Sequence, residues 1–99
     1  MTTVSNPKVT LVEEGEKMTI KQMEAFTGQL LPKHKASDES VLVVIEGACV
    51  LNLAEKDHLL GPGDSMVIPP NVWHQIKVNQ NFKALHVMPN GIQFDFVKQ

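Results

Sequence analysis

Gly61-Pro62-Gly63-Asp64-Ser65-Met66-Val67-Ile68-Pro69-Pro70-Asn71-Val72-Trp73-His74 sets a short apolar run between two chain corners and ends on a histidine. Gly61-Pro62-Gly63-Asp64 is a corner: glycine supplies backbone freedom, proline fixes φ, and a short carboxylate can hold backbone amides. Pro69-Pro70-Asn71 is a second corner. The β-prone run Ser65–Ile68 between them is too short for a helix. The stretch ends on His74, so a titratable ring enters the strand that begins there. Two corners enclosing one short strand belong to an antiparallel all-β protein.

Working outward, the same punctuation recurs at Glu14-Gly15, Thr27-Gly28, residues 33–39, Glu46-Gly47, residues 54–57, Asn79-Gln80-Asn81 and Pro89-Asn90-Gly91. It separates β-prone runs at 9–12, 17–26, 41–45, 49–53, 75–78, 82–88 and 92–97, and a hairpin is expected over 49–59. In the last run Ile92, Phe94 and Phe96 alternate with Gln93 and Asp95, which leaves one face wet. Val41-Leu42-Val43-Val44-Ile45 is apolar on both faces. Each side of that strand therefore needs cover, one from the core and one from a second layer or a partner subunit. Residues 13–26 could instead form a helix with Glu13, Glu14, Glu16, Lys17 and Lys21 on one face. Gly15, Thr19 and Ile20 oppose it and favour a strand. Eight or so short strands with glycine and proline turns predict a β-sandwich or small barrel.

The whole chain has 99 residues, enough for one small core. A domain of this size hides only about 60–65% of its unfolded surface, so self-association would stabilise it. Nine lysines against eleven acids give a net charge of −2, with no arginine and no tyrosine. Bidentate grip on phosphate or guanine is mainly arginine chemistry, so nucleic acid is not an expected partner. The single cysteine, Cys49, excludes an internal disulfide and a cysteine-rich zinc module. The longest apolar stretch, 41–45, is far from the roughly 20 residues of a membrane helix. The polar start has no signal-peptide core, and a cytoplasmic location is expected.

Two spacings carry a resemblance. The first runs from Gly28 across five residues to His34, then to Ala36, Ser40 and Gly47; the second runs from Gly63-Asp64 to Pro69, Asn71 and His74. In order and separation they resemble the two motifs of the cupin superfamily, over about residues 28–89. The resemblance implies a jelly-roll β-barrel (double-stranded β-helix), a single domain over 1–99. Within it 1–27 supply N-terminal strands, 28–89 the core motifs and 90–99 a C-terminal strand. It also implies a cavity at the wider mouth and, commonly, a homodimer.

Many cupins hold a divalent metal through a His-x-His pair, a glutamate and the histidine of the second motif. Here His34 and His74 match, but Ala36 stands at the second histidine and Ser40 at the glutamate. Glu39 would face outward unless a bulge intervenes. Asn71 stands at a usual glycine, a mild change because asparagine tolerates left-handed backbone. Two imidazoles alone hold Zn, Fe, Mn or Ni poorly. His86 would join them if the alternation of 82–88 turns Phe82, Ala84 and Met88 inward, which makes His34, His74 and His86 a candidate metal set. The candidate ligand-binding residues are His34, Ser40, Met66, His74, His86 and Met88. Trp73, Cys49 and His58 are read as packing or surface residues.

Three functions are consistent with these residues. One is a small-molecule-binding barrel with a weak metal site at His34/His74. Another is a metal-dependent enzyme of dioxygenase, isomerase or decarboxylase type. The last is a structural dimer whose barrel is packed shut by Leu42, Val44, Met66 and Met88.

Overall fold

The structure, a computed structural model, describes residues 3–97; the first two and last two residues of the expected span 1–99 lie outside it. Its eight strands are β1 (Lys8–Glu14), β2 (Met18–Ala25), β3 (His34–Ala36), β4 (Ser40–Leu53), β5 (Lys56–Leu60), β6 (Ser65–Ile68), β7 (His74–Pro89) and β8 (Phe94–Phe96). All pair antiparallel in one curled sheet, ordered β1-β2-β7-β3-β8, with β4 joining β5, β6 and β7. The all-β jelly-roll class is therefore the one the chain adopts. Among the described residues no helix is long and apolar enough to cross a membrane.

The helical alternative over 13–26 gives way to the β1–β2 hairpin, whose register slips once between Leu11 and Glu13. The β-branched Thr19 and Ile20 fit a pleated surface better than a helix. Asn90 ties the hairpin's turn to the far end of the chain: its side-chain amide donates to the carbonyls of Gly15 and Glu16, and its Oδ1 accepts from the Thr19 hydroxyl.

Two expected turns are absent. Glu46-Gly47 and Asn79-Gln80-Asn81 lie inside β4 and β7, which run through both places without a break. Pairing proceeds from Val41↔Val87 to Val44↔Ala84, shifts through Glu46↔Lys83 and Ala48↔Gln80, and resumes from Cys49↔Val78 to Leu53↔His74. These shifts are bulges, which bend a strand and raise its twist without ending it. The two longest strands can thus serve both halves of the barrel. Residues 33–39, also read as a turn, contain the short β3. The expected 49–59 hairpin forms between β4 and β5, with Ala54 (φ 52°) and Glu55 (φ 64°) as its left-handed centre.

Alternation along β4 and β7 builds the core, in which Leu42, Val44, Cys49, Leu51 and Val78 are essentially inaccessible. Burial pushes the Cys49 thiol up to about 11, as befits a small buried hydrophobe. The other face of β4 is less protected: Val41 and Val43 are half-covered and Ile45 is exposed. Both corners around β6 form as expected. The Asp64 carboxylate accepts from the Gly61 amide at 2.8 Å, and Asn71 adopts a left-handed φ of 61°.

Candidate functional site

The second corner delivers His74 as the first residue of β7, directly opposite His34 of β3. The two rings meet edge to face, 4.3 Å between centroids. His34 Nδ1 lies 3.1 Å from the Pro32 carbonyl and His74 Nδ1 lies 2.9 Å from the Val72 carbonyl. A carbonyl only accepts, so both Nδ1 atoms carry the hydrogen and donate it. That fixes the tautomer and leaves each Nε2 with a lone pair. Burial lowers the pKa of both rings, against the opposing pull of those carbonyls.

Further along β7, His86 stands in register between Lys21 of β2 and Leu42 of β4. It is buried, and its Nε2 shares a hydrogen bond of 2.9 Å with the Ser40 hydroxyl. Burial first, then the nearby His34, His74 and Lys21, depress its pKa to about 4. The site therefore holds three neutral imidazoles near pH 7.

These rings border a two-lobed cavity. An inner lobe of about 60 Å³ lies among His34, His74, His86, Leu42, Ile68 and Ile76. An outer lobe of about 170 Å³ lies among His34, His86, Lys21, Met88, Phe94 and Phe96. Met23, His34, His86 and Phe96 line both, so the lobes adjoin. The interior is not packed shut. A larger groove of about 560 Å³ runs past Phe26 and Phe82, but it contains no histidine and its charges pair with each other, Lys8 with Glu24 and Lys83 with Glu46.

Of the residues singled out from sequence, His34, His74, His86 and Met88 reach the cavity wall. Ser40 acts on it only through His86, and Met66 packs against the core and lines neither lobe. Glu39 is exposed, so no bulge returns it to the site. Trp73 faces away, with the Lys35 ammonium 4.9 Å over its ring. Sequence reading missed Lys21. Its period-two alternation with Thr19, Met23 and Ala25 was the available signal, hidden by the helical alternative for that segment.

The donor set does not fit the metal that the fold family commonly carries. Among the described residues no three His, Cys, Asp or Glu side chains gather as a metal-binding group. The expected set of His34, His74 and His86 does not assemble as ligands: Ala36 has no donor atom, the His86 Nε2 is engaged with the Ser40 hydroxyl, and the remaining two imidazoles fall short of the three or more protein ligands a resident divalent ion takes.

Comparison with solved structures places this barrel among known ones. An uncharacterized conserved protein with a double-stranded β-helix domain from Klebsiella pneumoniae matches with a TM-score of 0.82 at 19% identity, over 95% of this chain and 86% of that one. A Cupin 2 conserved barrel domain protein from Leptotrichia buccalis matches with a TM-score of 0.77 at 22% identity, over 86% of this chain and 41% of that one. Salicylate 1,2-dioxygenase from Pseudoaminobacter salicylatoxidans, solved as adducts with gentisate, matches with a TM-score of 0.86 at 14% identity. This chain is covered completely in that match but spans only 31% of the dioxygenase chain. At such identities the likeness is one of fold. No functionally curated protein matches the chain. The sequence model of the cupin domain matches residues 16–88, most of the chain and both corner motifs, and the chain belongs to the cupin family.

Proposed function

We propose that this cupin binds a small molecule in the two-lobed cavity and carries no resident metal. The observation that supports this is the state of the three imidazoles. All are neutral, and two are fixed by backbone carbonyls as Nδ1–H tautomers, so each leaves an Nε2 acceptor in a largely apolar enclosure. Apolar walls with a few convergent polar atoms are what a small-ligand site requires. No carboxylate lines either lobe among the described residues, and the neutral imidazoles serve a bound molecule there as hydrogen-bond acceptors. His34 and His74 would hold a divalent ion only weakly, as two donors. The setting we propose is the cytoplasm.

One preparation tests both parts. Protein purified without chelator is expected to contain no stoichiometric Zn, Fe, Mn or Ni. A full equivalent that is lost in both His34→Ala and His74→Ala would overturn the metal-free reading. In the same protein, saturating benzamide is expected to shift the ring-proton NMR signals of His34, His74 and His86 while leaving His58, which lines neither lobe, in place. Unmoved cavity signals would sink the binding reading.

We also propose that the chain works as a homodimer joined through the outer face of β4. Within one chain Val41 and Val43 are only half-covered, and Val67, opposite Val41 on β6, is 52% exposed. Burying such a row is worth about 25 cal/mol per Å², a useful addition for so small a core. Light scattering at micromolar concentration is expected to return about twice 11.0 kDa. A monomer mass would rule the pairing out.

A further inference from the structure

Among the described residues Lys21 is the one charged side chain on the wall of either lobe. It belongs to the inward set of β2, whose other members Thr19 and Ala25 are buried, and it sits beside His86 in register. Its neighbours in the outer lobe are aliphatic, aromatic, thioether or imidazole groups. No carboxylate lies within 4.0 Å of its ammonium among the described residues, whereas Lys8 and Lys83 both have glutamate partners. A half-buried cation facing apolar walls and two neutral rings, His34 and His86, lacks a counter-charge. Something that enters the lobe can supply one.

We infer that the ligand is a small organic carboxylate, its anion held by Lys21 and its apolar body by the outer lobe. This rests on the binding reading above and names the ligand class for the same cavity. Size guides the body: a cavity of about 150 Å³ accepts benzene, so a lobe of about 170 Å³, open to solvent beside the exposed Val9 and Phe96, takes a ring or chain of roughly six carbons. Charge limits the head. One ammonium with no arginine beside it matches a monoanion, whereas a phosphate dianion calls for more donors or a bidentate fork. The aromatic faces of Phe94 and Phe96 favour a flat or branched body over a polyhydroxylated one.

Benzoate and benzamide differ in charge but hardly in shape, so the pair separates the two claims. By calorimetry or NMR titration at pH 7.5, the wild-type chain is expected to bind benzoate at least tenfold more tightly than benzamide, with the advantage shrinking at high salt. Lys21→Met and Lys21→Gln are expected to erase that preference while benzamide affinity persists, and Lys21→Arg to retain it. Equal affinity of the wild type for both probes, or a preference that survives Lys21→Met and Lys21→Gln, would overturn the carboxylate assignment and leave the binding reading standing. Failure of both probes to bind would remove the two together.

Discussion

Replacing Gly47 by alanine is expected to destabilise the fold more than alanine at any other glycine. A Cβ at this position would lie 2.0 Å from the Asn81 carbonyl oxygen, 2.7 Å from its carbon and 2.8 Å from the Phe82 Cα. All three are backbone atoms of β7, where the bulged segments of the two longest strands cross. They can retreat only by opening the β4–β7 pairing. Gly47 also has φ +77°, a conformation that costs an L-residue about 1–2 kcal/mol. Overpacking adds about 1–3 kcal/mol, so the total is about 2–5 kcal/mol. For a domain of this size that lowers the melting temperature by roughly 20 °C, a large part of a typical stability. Gly28→Ala is the matched control, with φ +88° but nothing within 4 Å of the added carbon, and it should lose only the conformational cost of about 1–2 kcal/mol. Denaturant melts of both variants check this. Equal losses would mean that the contact with Asn81 does not constrain the bulge.

That glycine also marks where sequence reading stopped short. Residues 46–47 and 79–81 have turn composition, and local chemistry alone makes them chain reversals. Their actual role depends on each other: the two irregular segments face one another across the sheet, and each bulge is tolerated because the partner strand bends with it. A period-two pattern that restarts after a turn-like insert reads the same whether the chain reverses or bends, since both reset the phase. The corners flanking β6 were legible because their signals are self-contained. The Asp64 carboxylate caps its own turn, and Asn71 supplies its own left-handed backbone. The three-residue β3 was illegible for a related reason. It is held by β8, distant in sequence, and by a single pairing to β7.

The site divides along the same line. His34 and His74 follow from the two spacings, and His86 from alternation along its strand. Ser40 was expected at the ligand, but the structure seats it behind His86, a partnership that joins positions 46 residues apart, beyond any local pattern. Lys21 was lost because the charges of residues 13–21 also suit an amphipathic helix. Only the β2–β7 pairing, which sets Lys21 beside His86, turns it toward the cavity.

His86 supplies the second large effect, a dependence of stability on pH. Every element packed around it either desolvates it or resists its protonation. Lys21 of β2 is a fixed positive charge, while His34 of β3 and His74 of β7 are competing proton acceptors. Ser40 of β4 offers a hydroxyl, and Phe94 of β8 a ring 6.1 Å away. The sign follows from comparing states. In the unfolded chain this ring titrates near 6.5, and in the folded chain near 4. The unfolded state thus binds the proton first as pH falls, so the ring's contribution is intact above pH 6.5 and is lost progressively down to about 4. Each pKa unit is worth about 1.4 kcal/mol, which makes the loss from His86 about 3 kcal/mol by pH 4. His34 and His74 are depressed by burial too, and they add in the same direction. Urea denaturation of ligand-free protein between pH 7.5 and 4 is expected to show this decline. In His86→Gln, whose amide can still pair with Ser40 but does not titrate, the decline should be smaller by about 3 kcal/mol, whatever the variant's stability at neutral pH. Groups other than residue 86 are common to both chains and cancel in the difference. A His86→Gln profile parallel to the wild type would mean that the ring takes up its proton in the folded barrel as readily as in the unfolded chain. The cavity would then gain a second positive charge below about pH 6.5, and its selectivity for a carboxylate would strengthen as the pH drops.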